Sequence, residues 1–63
     1  MDKLIEEINA FNNTKAWTVA NEIYIDSMKS SATFADFVAS YGFSVKVIKV
    51  SKDGSSALMK LVS

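Results

Sequence analysis

The stretch KAWTVANEIYIDSMKS, Lys15 to Ser30, decides the fold. It fits two periods at once. As a strand, Trp17, Val19, Ile23 and Ile25 share one face with Asn21 as a polar intruder, and Thr18, Ala20, Glu22, Tyr24 and Asp26 share the other. As a helix, Trp17, Ala20, Tyr24 and Met28 line one stripe opposite Thr18, Glu22, Asp26 and Lys29. The helix strands Val19 and Ile25 off that stripe, and Trp-Thr-Val and Ile-Tyr-Ile are triplets that suit a pleated surface. The strand is therefore the preferred reading, with Asp26 to Ala32 as a polar loop.

The flanking segments are clearer. Before it, Leu4, Ile5, Ile8 and Phe11 form an amphipathic helical stripe from Asp2 to Phe11, with Asp2 as an N-cap, and Asn12-Asn13-Thr14 ends it. After it, Phe34, Phe37, Val38 and Tyr41 recur at helical spacing. Thr33 can cap that helix, with Asp36 placed as in a capping box, and Gly42 can close it. Phe43 to Ser51 is a β-branched strand, Lys52-Asp53-Gly54-Ser55 a turn, and Ser56 to Val62 a return strand. Two adjacent apolar residues, Val47 and Ile48, break the alternation. A bulge there turns Lys46 and Lys49 outward while Val45 and Val50 face inward. Ala57, Met59 and Leu61 share one face of the last strand, and Leu58, Lys60 and Val62 the other.

The expected architecture is α+β: a single domain spanning residues 1–63, in the order α-β-α-β-β, two-layered, with a C-terminal β-hairpin. If residues 15–30 are helical instead, three helices and a hairpin wing give a winged-helix outline.

Composition closes several chemistries. A chain of 63 residues buries only about 60% of its unfolded surface, and without cysteine it has no disulfide to add. Arg, His, Cys, Pro and Gln are all missing, so every positive charge is lysine. The bidentate fork for phosphate and guanine, the usual general base and the commonest metal ligand go with them. The two glycines, Gly42 and Gly54, serve turns and make no phosphate loop. Acid pairs such as Glu6/Glu7 and Glu22/Asp26 need a deep cleft to become catalytic, and a domain of this size has little depth to offer. No enzyme activity, metal or cofactor is expected. No apolar run approaches a membrane span, and the first residues lack the layout of a signal peptide, so a cytoplasmic place is expected.

Charge is uneven along the chain. Residues 1–42 carry three lysines against six acids, and residues 43–63 carry four lysines against Asp53 alone. The basic hairpin presents Lys46, Lys49, Lys52 and Lys60, while Leu58 and Val62 leave apolar surface on the same arm and Tyr24 stands partly exposed. These seven residues are the candidate binding set. The last strand, with one lysine and no proline, is expected to offer an edge for pairing. Trp17, Phe11, Phe34 and Phe37 are expected in the core.

The expected function is that of a small non-enzymatic binding or regulatory protein acting through its C-terminal hairpin. Its partner is another protein or a second copy in a homodimer. A lysine-only composition is what an AT-rich genome gives, and small proteins of that kind are frequent among phage and mobile-element products that inhibit a host protein. The alternative is a nucleic-acid-binding regulator. The helix that would read bases offers Phe34, Ala35, Phe37, Val38, Ala39 and Ser40, which are core-like.

Overall fold

A computed structural model describes residues 2–63; Met1 and the side chain of Asp2 lie outside it, and with them the capping role expected of Asp2. The elements are α1 (Asp2–Asn9), β1 (Thr14–Val19), β2 (Glu22–Ser27), α2 (Ser31–Ala39), β3 (Ser44–Val50) and β4 (Ala57–Val62). The class is α+β as expected. The strand count is not: the ambiguous stretch holds two strands joined at Ala20-Asn21. Both turn residues take positive φ, 51° and 68°, as a tight two-residue hairpin turn requires. Asparagine tolerates that conformation and alanine does not favour it, so the turn carried a weak signature. A hairpin at residues 14–27 also removes the winged-helix alternative, which needed a helix there.

The turn has a second consequence. It pairs Trp17 with Tyr24, Ala16 with Ile25 and Thr18 with Ile23, so the side-chain alternation is reset across it. Ile23 and Ile25 face the core with Ala16. Trp17 and Val19 face the other way, with Glu22, Tyr24 and Asp26. The expectation that Trp17 belongs to the core is overturned: it is 39% exposed.

The sheet is antiparallel throughout, in the order β1-β2-β4-β3. Each half of the chain is a helix followed by a hairpin, and the two halves meet at β2 and β4. This places β4 inside the sheet. The edge for pairing that the sequence assigned to Ser56–Val62 does not exist; the edges are β1 and β3.

Both helices lie on one face. Leu4 and Ile8 of α1 and Phe34 and Val38 of α2 pack on Ile23, Ile25, Met59 and Leu61, all nearly inaccessible. Phe11 bridges the helices, 5.2 Å from Phe34 and 5.6 Å from Phe37 between ring centroids. Helix α2 begins earlier than expected. Ser30 is its N-cap residue, so Thr33 lies inside the first turn, and Asp36 is one turn too late to complete a capping box. Its end follows the expected design. Gly42 takes φ 85°, and the Phe43 N–H donates to the Val38 carbonyl at 3.1 Å.

One peptide of the β1 edge is capped, and the β3 edge is bent by a bulge. On β1 the Asn9 side chain lies against the outward-facing peptide of Ala16. Its Oδ1 accepts the Ala16 N–H at 2.8 Å and its Nδ2 donates to the Ala16 carbonyl at 3.2 Å. The carboxamide thus takes the place a neighbouring strand would occupy. On β3 the expected bulge falls between Val47 and Lys49, bending that edge.

Two outcomes test this account. Ala20→Gly relieves an alanine held at positive φ and raises stability by about 0.5–1 kcal/mol, read by urea denaturation. Asn9→Ala removes both edge bonds and costs roughly 1–2 kcal/mol. It also makes the solution mass rise with protein concentration, because the β1 edge is opened.

Candidate functional site

The side of the sheet away from the helices is uncovered, and strand register assigns the paired residues on it; Ile48, the bulge residue of β3, is 47% exposed and has no partner in the register. Alternation with the core positions assigns Lys15, Trp17 and Val19 of β1, and Glu22, Tyr24 and Asp26 of β2. β4 adds Leu58, Lys60 and Val62, and β3 adds Ser44, Lys46 and Lys49. One row across the sheet runs Trp17, Tyr24, Lys60, Lys46; the next runs Lys15, Asp26, Leu58, Lys49.

The candidate residues of the hairpin are therefore brought together. Lys46, Lys49, Lys60, Leu58, Val62 and Tyr24 share this open face. Lys52 stands at its end, in the connection from Ser51 to Ser56. There a shallow groove of about 380 Å³ is lined by Asp26, Lys49, Lys52 and Leu58 among others. The set was incomplete. Trp17, Val19, Lys15, Glu22 and Asp26 belong to the same surface, and the Ala20-Asn21 turn was the one feature of the sequence that could have revealed it.

A network crosses the middle of the face. The Trp17 and Tyr24 rings stack across the strands, with centroids 6.1 Å apart and planes 19° apart. The Tyr24 hydroxyl donates to Glu22 Oε1 at 3.3 Å. The other oxygen of the same carboxylate meets Lys60 Nζ at 2.5 Å. The hydrogen bond from Lys60 holds the Glu22 carboxyl below its usual range, and the same bond raises the Lys60 ammonium. Each group keeps its partner charged. These contacts join β1, β2 and β4 across the open face.

Lys60 also faces Lys46 on the neighbouring strand. Like charges directly opposite are unfavourable in a sheet. Glu22 answers Lys60; among the described residues the Lys60–Glu22 contact is the one ion pair, so Lys46 has no carboxylate of its own.

The turn beside Lys52 is hydrogen-bonded through Asp53. Asp53 Oδ1 accepts hydrogen bonds from the Ser55 hydroxyl at 2.7 Å, the Ser55 N–H at 3.0 Å and the Ser51 hydroxyl at 2.8 Å. These donors pull the Asp53 carboxyl down to about 2. Gly54 at φ 74° lets the chain return.

A second apolar group lies on the helix side, where α2 does not reach the far end of β3. Met28, Val47 and Val50 are 59%, 43% and 54% exposed there, along a groove of about 300 Å³. On the same side the Tyr41 hydroxyl donates to the Glu7 carboxylate, linking the end of α2 to α1.

The buried hydroxyls of Thr14 and Ser27 bond each other at 2.7 Å, and among the described residues no buried side-chain polar atom lacks a partner. Among the described residues no cluster of acids could hold a metal ion, and no helix is long and apolar enough to cross a membrane.

The pH dependence of the turn is a direct check. A carboxyl lowered in the folded state stabilises it above the ordinary value of 3.8, and that contribution is lost as pH falls toward 2. An NMR titration therefore finds the Asp53 midpoint at about 2, and Ser55→Ala moves it upward. No family model, no curated protein and no solved structure matches this chain.

Proposed function

We propose that this chain is a small binding protein that works by docking another protein on the open face of its sheet, with no chemistry of its own. The observation that carries this is the composition of that uncovered face. It gathers Trp17, Tyr24, Val19, Leu58 and Val62 with charges of both signs. Tryptophan and tyrosine are among the side chains that most often anchor protein interfaces. The reading enlarges the hairpin surface expected from sequence to the whole sheet.

A second copy is a poorer occupant than a different protein. Face-to-face pairing would set two lysine-rich surfaces against each other, and strand pairing meets Asn9 at one edge and a bulge at the other. A regulator or inhibitor of the phage or mobile-element type, acting in the cytoplasm, fits the small size, the lysine-only composition and the absence of cysteine.

The nucleic-acid reading draws on one observation: the Trp17–Tyr24 stack beside lysines resembles a base-stacking platform. Glu22 and Asp26 weigh against it. Both sit on a central strand of the same face, where phosphates would have to pass.

The test compares the protein with a Leu58→Ser, Val62→Ser double variant. Neither residue belongs to the buried core, so the thermal midpoint changes by only a few degrees. The wild type retains a partner from source-cell lysate at high salt, and the double variant loses it. Equal retention by both would sink the open-face reading. Sedimentation across concentration should give a monomer; a dimer that survives high salt would make the second copy the partner.

A further inference from the structure

We infer that the open face takes an acidic amphipathic helix of another protein, its apolar side on Trp17, Tyr24, Leu58 and Val62 and its carboxylates on Lys46 and Lys49. This rests on the reading of that face as a protein-docking surface and names the partner's chemistry.

The face carries more positive charge than its own carboxylates answer. Four lysines, Lys15, Lys46, Lys49 and Lys60, stand against Glu22 and Asp26. Glu22 is committed to Lys60. Lys46 sits opposite Lys60 and has no carboxylate partner among the described residues, and Lys49 lies diagonal to Lys60, beside Leu58. A folded protein of this size has little stability to spare, so a like-charge pair on neighbouring strands is a local conflict. A carboxylate brought by a partner resolves it. Lys15, Lys46 and Lys49 lie on the edge strands, while Tyr24, Leu58 and Val62 share the two central strands with Asp26 and the Glu22–Lys60 pair. An occupant that matches brings apolar side chains to Tyr24, Leu58 and Val62 and carboxylates to the Lys46 and Lys49 side.

The shape of the face suits a helix. An extended segment gains affinity by adding to a sheet edge and not by lying on a sheet face. Laid flat on the face, an extended segment would leave its own backbone groups unpaired. A helix satisfies its backbone internally. At ~4.8 Å between strands, the face is roughly 14 Å from β1 to β3, room for one helix about 10 Å across. The strands of six or seven residues run roughly 20 Å, the length of about 13 helical residues. The bound state would be a three-layer α/β/α sandwich completed in trans.

Trp17 is the sole tryptophan, and it stands on this face, so its fluorescence reports the site. The probes are a synthetic leucine–glutamate amphipathic helix, its leucine–lysine counterpart with the same apolar pattern, and an oligo(dT) strand, none containing tryptophan. The acidic peptide is expected to shift Trp17 emission saturably, and Lys46→Glu with Lys49→Glu to weaken it at least ten-fold. Lys46→Glu alone is expected to raise the melting temperature of the free protein while weakening the peptide, since it removes the conflict with Lys60. A purely structural lysine would not couple those two changes in opposite senses. An acidic peptide that leaves Trp17 unmoved overturns the inference, whatever Lys46→Glu does to stability. Equal or tighter binding of the lysine peptide overturns it too but leaves the protein-docking reading standing. A response to oligo(dT) alone overturns both.

Discussion

Leu4, Ile8, Phe34 and Val38 close over Ile23, Ile25, Met59 and Leu61, and the rest of the molecule depends on that one layer of contact. It is where nearly all of the fully buried apolar area lies. A folded domain of this size is stable by roughly 3–9 kcal/mol in all, and emptying one buried phenylalanine site costs about 3–5. Phe34, fully buried between both helices and the sheet, is therefore a side chain on which folding itself turns. No disulfide exists to soften such a loss.

The same constraint produces the open face. Both helices are committed to one side of the four-stranded sheet, and among the described residues the other side has no helix on it. An antiparallel sheet tolerates a solvated face when that face is polar. Here it is polar in part, with an acid–lysine network at its centre and Trp17, Tyr24, Leu58 and Val62 around it. The edges, by contrast, are guarded by Asn9 and by a bulge. The molecule thus restricts contact along its edges while leaving one broad surface available.

Much of this was legible in the residues. The two helical stripes, Gly42 at the end of α2, the Asp53-Gly54 turn, the bulge at Val47-Ile48 and the two faces of β4 all follow from periodicity and turn chemistry. Each of these signals is local, spanning no more than about two turns of helix or one hairpin. The candidate site was half legible for the same reason. Alternation within β3 and β4 put Lys46, Lys49, Lys60, Leu58 and Val62 on one side, but it could not say that β2 lies beside β4.

The sequence by itself determined the α+β class, the helices, the C-terminal hairpin and the closure of histidine- and cysteine-dependent chemistry, because these depend on composition and near-neighbour spacing. Only the tertiary structure decided that Lys15–Ser30 contains a turn, since an alanine at positive φ is held there by strand pairing and not by its own preference. That one turn inverts the facing of Trp17 and Val19, adds an edge strand and moves β4 to the interior. The open face as a single surface is assembled by pairing between residues as distant in sequence as Tyr24 and Lys60, and no local pattern encodes a contact of that range.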